Sequence, residues 1–171
     1  ACQALAATAV MSERKHPCTP ASLTLMAGPI DCRINPTAVN KLATDHPIEW
    51  FKQNLISTVP FPLPGWGRRV YPGFMQLTAF MAMNPERHMD AHKTLFKHLV
   101  EGEEDEAERI KTFYDEYFAV LDLSEEFYIE TVAWVFQEMR LPLGRLKHRG
   151  EVVDCSKITK TAILTLSLIH I

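Results

Sequence analysis

A cysteine stands at position 2, between the small residue Ala1 and the Gln3-Ala4 pair, and an Ala-rich stretch with helical spacing follows at once. A nucleophile elbow places Ser or Cys on a sharp strand-to-helix turn, where small neighbours are required because the turn leaves no room for bulk. At such a turn the helix N-terminus lowers the thiol pKa, and the amide of Gln3 is placed to donate to an oxyanion. A buried structural cysteine fits the same local pattern, since Cys is among the residue types most often buried. The local pattern by itself favours the structural reading.

Three other groups of residues carry chemical interest. His88 and His92 lie four apart, with Asp90 between them and His98 beyond. On a helix this spacing puts two imidazoles on one face and can chelate a metal, but the Glu of a His-Glu-x-x-His motif is missing and no third ligand is evident. A polar helix face, with or without His92 packed inside, is the preferred reading, and no metal is expected. Asp31, Arg33 and Asn35 follow a short apolar run, which is where α/β sheets place functional loops. Their simpler roles are an Asn35 helix cap, with Asp31 and Arg33 either paired or bound to loop backbone. Arg68 and Arg69 follow Gly65-Trp66-Gly67, a setting for an anion, for a carboxylate partner or for fixing the long loop, without the glycine spacing of a phosphate loop.

The elements that must position these residues follow from periodicity. Residues 3–15 read as a helix and 22–28 as a short buried strand stopped by Gly28-Pro29. Asn35-Pro36 starts a helix at 37–43, and Asp45 caps another at 48–56. Residues 57–73 hold Pro60, Pro62, Pro64 and Pro72 together with Gly65 and Gly67, and read as an extended loop. Helices are predicted at 74–83, 85–101, 103–121 and 124–139, each with apolar residues spaced by three and four. The acidic run 102–109 suits a solvated helix start. The aromatic stripes of residues 113–136 read first as helical core. Residues 145–153 form a hairpin turning at Arg149-Gly150, and 159–168 form a second buried strand.

Composition narrows the class. With 171 residues, 47% of them hydrophobic, the chain carries enough apolar material for a core. A net charge of −3 gives no general pull towards nucleic acid or anionic membrane. Apolar runs are too short for a transmembrane helix, and Ala1-Cys2-Gln3 lacks the basic start of a signal peptide. Cys2, Cys18, Cys32 and Cys155 show no paired spacing, which suits a reducing, cytoplasmic setting. A helical block between two sheet strands is the pattern of an α/β protein with an inserted lid, and the chain is expected to be a piece of a larger one.

Five segments taken together resemble a known family. They are TLMAGPIDCRINPT (24–37), IEWFKQNLI (48–56), GRRVYPGFMQLTAFMAMN (67–84), HMDAHKTLFKHLVEG (88–102) and FYDEYFAVLDLSEEFYIETV (113–132). In order and in content they are similar to intracellular poly(3-hydroxybutyrate) depolymerases, α/β-hydrolase relatives with a Cys nucleophile in a Cys-Gln motif. The family motif continues with Pro, where this chain has Ala4.

The resemblance implies an α/β-hydrolase-type fold with a large helical lid between two sheet strands. Its parts would be a partial core at 1–36, the lid at 37–141, and a hairpin with the next core strand at 142–165. Residues 166–171 depart from the family and are expected to be a non-native tail, so His170 is not taken as a catalytic His. The implied activity is a carboxylic ester hydrolase acting on polyhydroxyalkanoate polymer at the storage-granule surface in the cytoplasm, without a cofactor. Cys2 becomes the implied nucleophile and the Gln3 N–H an oxyanion donor, while the triad acid and His are not in this chain. On that ground the fragment alone is expected to be inactive. A polyester synthase-like acyltransferase and a non-catalytic granule-binding helical module are the alternatives.

Overall fold

The computed structural model describes residues 1–34, 36 and 38–166, so Asn35 and the suspected tail beyond 166 lie outside the described residues. The first half of the chain runs α1 (Cys2–Glu13), β1 (Ser22–Met26), α2 (Ala38–Asp45), α3 (Ile48–Asn54), β2 (Ser57–Thr58) and β3 (Arg69–Tyr71). There follow α4 (Gly73–Ala82), α5 (Pro85–Glu101), α6 (Glu104–Phe118), β4 (Leu123–Ser124) and α7 (Glu125–Thr131). A π-helical turn (Val132–Gln137), the hairpin β5 (Lys147–His148) and β6 (Glu151–Val152), a 3-10 turn (Cys155–Lys157) and β7 (Ala162–Leu166) complete it. The molecule is therefore a mixed helix-and-sheet protein, built as two compact units. One comprises 1–50 with 129–171, the other 51–128.

In the first unit β1 and β7 pair in parallel, from Ser22 opposite Ala162 to Met26 opposite Leu166. Parallel pairing requires a long crossover, which is why strands so distant in sequence become neighbours. Helix α1 buries Cys2 and Ala9 against Leu141 and Val153, with Leu5, Val10, Ile30 and Cys155 around them. The Gln137 side-chain amide donates to the carbonyls of Ala43 (2.8 Å) and His46 (2.9 Å), satisfying acceptors that the end of α2 leaves open. The β5–β6 hairpin turns through Arg149 and Gly150, both at positive φ, as a two-residue turn with matching twist requires.

The strand expected at 159–168 is present at Ala162–Leu166, yet it is exposed along its whole length, and only Leu25 of β1 is buried. Among the described residues the sheet has two strands, so its apolar side chains lack the covered faces that parallel sheets need.

In the second unit β2, β3 and β4 form a three-stranded antiparallel sheet, where the sequence reads as loop in 57–73. Elements of two and three residues are too short to show an alternation. The helical hairpin α5–α6 follows, with Asn84 as N-cap, Pro85 in the first turn and Gly102 in the left-handed conformation at the end of α5.

Candidate functional site

The residue types that could do chemistry are best followed from Cys2. It is the first residue of α1 and is 9% exposed. Its thiol donates to the carbonyl of Pro29 at 3.1 Å, with the Ile30 carbonyl at 3.9 Å. Pro29 and Ile30 belong to the loop that leaves the carboxyl end of β1, so strand end and helix start converge on the sulfur. Gly28 permits that approach: a Cβ there would sit 2.5 Å from the Cβ of Ala1.

Burial pushes the Cys2 thiol up, and the nearby Cys155 adds to the rise. Cys32 and Cys155 are also raised by their own burial. Donation to a carbonyl favours the thiol over the thiolate, because the acceptor lone pair repels a negative sulfur. Among the described residues no imidazole bonds Cys2. Gln3 lies in the first turn of α1, where amides have no acceptor one turn earlier. As arranged, Cys2 rests as a thiol against the Pro29 carbonyl at the start of α1.

The other sequence candidates sit on different elements. His88 Nδ1 meets the hydroxyl of Tyr114 at 3.0 Å, and His92 Nδ1–H donates to the His88 carbonyl at 2.8 Å. The His92 ring also lies tilted against Tyr114, 4.4 Å between centroids. His98 pairs with Glu103 across the α5–α6 turn. Each imidazole is thus engaged locally, and among the described residues no three His, Cys, Asp or Glu side chains gather as a metal site.

Asp31 and Arg33 form a bidentate pair at 2.8 and 2.6 Å, and the Arg33 amide also donates to Asp31. The Arg33 guanidinium is the main cause that lowers the Asp31 carboxyl to about 2. Arg69 pairs through both nitrogens with Glu125, at 2.5 and 3.1 Å, joining β3 to the start of α7. This satisfies by a carboxylate partner the guanidinium that sequence left open between anion and structure. Tyr71 stacks on Tyr128 at 3.9 Å, and burial raises both phenols. Neither partner of Arg69 or Tyr71 was legible beforehand, since more than fifty residues of sequence separate each pair.

A further feature escaped the sequence reading altogether. A shallow groove of about 750 Å³ runs between the end of α4 and one face of α5. Its lining is largely apolar, with Met81, Met89 and Phe96 foremost.

Residues 27–168 match the family described as PHB de-polymerase C-terminus. The chain belongs to this family. The match takes in the Gly28-Pro29-Ile30-Asp31 loop, the Arg68–Gly73 segment and the whole α4–α7 helical region, which are the segments that carried the resemblance. Cys2 and Gln3 precede the matched residues. Neither a curated protein nor a solved structure matches the chain. Membership in the PHB depolymerase C-terminal family points to a PHB depolymerase-related function. Among the described residues no helix is long and apolar enough to cross a membrane.

Proposed function

We propose that this chain is part of a depolymerase that hydrolyses the ester bonds of poly(3-hydroxybutyrate) through a cysteine nucleophile. The observation that carries the reading is the family match over 27–168. Cys2 is the proposed nucleophile. Its thiolate attacks an ester carbonyl, the tetrahedral oxyanion takes hydrogen bonds from amides at the start of α1, Gln3 among them, and the 3-hydroxyl end of the polymer leaves with a proton. Water then cleaves the thioester, releasing the acid and restoring the thiol.

The Pro29 carbonyl holds the Cys2 proton in the present arrangement. The reading therefore requires a base, which we assign together with its orienting acid to sequence outside residues 1–171, and a turn of the Cys2 side chain away from Pro29. Within an α/β-hydrolase-type fold the helices between β1 and β7 would serve as the lid over this centre, broadly residues 37–141. The setting of the reaction would be the surface of a cytoplasmic storage granule.

The test is release of 3-hydroxybutyrate from amorphous polymer granules by the protein encoded by the complete reading frame. Cys2→Ser is expected to lower the rate by about 10³-fold or more, as removal of a nucleophile does. The 171-residue chain is expected to show no turnover. Full activity after Cys2→Ser would remove Cys2 from the mechanism, and no release by the complete protein would end the hydrolase reading. A second reading, a helical module that binds polymer without cleaving it, draws on the protonated, buried state of Cys2. It requires polymer binding undiminished by Cys2→Ser and no hydrolysis by the unsubstituted complete protein.

A further inference from the structure

Helix α5 carries two stripes. Its half-buried residues are His88, Ala91, Leu95 and His98, spaced by three and four, and His88 bonds Tyr114 of α6. That stripe meets α6. The second stripe, Pro85, Met89, His92 and Phe96, follows the same helical spacing on a different face and lines the groove beside Met81 of α4. Met89 is 58% exposed and Phe96 is 70% exposed, and no residue of this 17-residue helix is buried. Contiguous apolar surface left open by Met89 and Phe96 beside Met81 marks a candidate interaction surface.

We propose that this α4–α5 groove is the surface on which the apolar polyester chain docks; the inference rests on the polyester reading given above. Charge and hydrogen-bond complementarity select this occupant. Poly(3-hydroxybutyrate) is uncharged and, along its backbone, offers ester carbonyls that accept hydrogen bonds but no N–H or O–H that donates. Methyl and methylene groups lie between those carbonyls. The groove matches that pattern, with thioether and aromatic surface from Met81, Met89 and Phe96 and no carboxylate in its lining. Its polar members are the Lys93 ammonium and the imidazoles of His88 and His92. Among the described residues Lys93 makes one exposed contact, to Asp90 at 3.3 Å, and its three N–H groups can also serve further acceptors. A second copy docking face to face would bring two Lys93 ammonium groups together in the same apolar patch, which a two-fold contact disfavours. The thioether side chains adapt to an irregular polymer surface more readily than branched ones.

The test is co-sedimentation of the 171-residue chain with protein-free amorphous poly(3-hydroxybutyrate) granules. Met89→Glu with Phe96→Glu is expected to weaken binding by about tenfold or more, since each removes apolar burial and adds a charge. Leu121→Glu, at a more exposed apolar residue outside the groove, is expected to leave binding unchanged. Met89→Gln with Phe96→Gln provides the uncharged version should the first pair unfold the helix, as read by circular dichroism.

Binding of the groove variants at the unsubstituted level overturns the proposal, as does absence of binding by the unsubstituted chain. A variant that turns a self-associated chain into a monomer while keeping polymer affinity also overturns it, by making the groove a contact between copies. Cleavage of a soluble 3-hydroxybutyrate oligomer by the complete protein separates the two readings. If the oligomer is cleaved while granule binding ignores the groove, only the groove assignment fails; if it is not cleaved, the depolymerase reading fails first.

Discussion

Asp31 shows how much one side chain can hold in place. Its carboxylate takes both Arg33 nitrogens and the Arg33 amide, closing the loop that follows β1 into a fixed turn. Because Arg33 lowers the Asp31 pKa to about 2 against an unfolded value of about 3.9, the pair stabilises the loop above the unfolded value. That contribution fades as pH falls from there through about 2, and no loss is expected between pH 5 and 8. Carbon-detected NMR titration is expected to place the Asp31 carboxyl near that low value, and Arg33→Gln to return it towards about 3.9. An unchanged titration in Arg33→Gln would show that the guanidinium is not the cause. The pairing of Asp31 with Arg33 was open to sequence reasoning because the two residues are neighbours in a loop. The state of Cys2 was not, since its acceptor, the Pro29 carbonyl, lies 27 positions away and its burial depends on Leu141 and Val153.

Among the elements, the junction of β3 with α4 explains the Tyr71-Pro72-Gly73 run of residue types without reference to catalysis. The Gly73 amide donates to Asp122 at 2.7 Å, and a Cβ on Gly73 would lie 2.5 Å from the Val120 carbonyl oxygen. Glycine is required there by contact with backbone, which cannot swing aside as a flexible side chain would. Gly73→Ala is expected to destabilise by about 1–3 kcal/mol, the usual cost of overpacking, and to lower the thermal midpoint accordingly. Gly102→Ala, where nothing lies within 4 Å but φ is +76°, is expected to cost about 1–2 kcal/mol through strain alone. A melting temperature unmoved by Gly73→Ala would mean that the Val120 carbonyl is not held against α4. Helices α4, α5 and α6 were all predicted within a few residues because their apolar spacing and caps are local. Strands β2, β3 and β4 were not, because their pairing partners, rather than their own two or three residues, define them.

For the whole molecule, the decisive physical fact is the exposure of the β1–β7 sheet. Met26, Ile163, Leu164 and Leu166 are between 45% and 73% exposed on a two-stranded parallel pair. Parallel strands are stable when both faces are covered, so this surface is expected to drive concentration-dependent association of the 171-residue chain. Leu164→Lys is expected to reduce that association in sedimentation velocity without loss of helical signal, since Leu164 is 54% exposed. If the substituted and unsubstituted chains associate alike, the sheet is not the adhesive surface.

What the amino-acid order determined by itself is the succession of the longer helices, the two parallel strands, the β5–β6 hairpin and the family. Helix caps, apolar spacing of three and four, the Arg149-Gly150 turn and motif blocks such as Gly-Pro-Ile-Asp act over a few residues and are written directly in the chain. Tertiary structure alone decided the rest: that Arg69 belongs to Glu125, that Gln137 closes α2, and that the open stripe of α5 forms a groove with α4. It also decided that Cys2, suggested by sequence as a nucleophile, rests as a buried thiol against the Pro29 carbonyl. Those outcomes depend on which surfaces meet across the fold, and burial and hydrogen bonding between distant residues have no local signature in sequence.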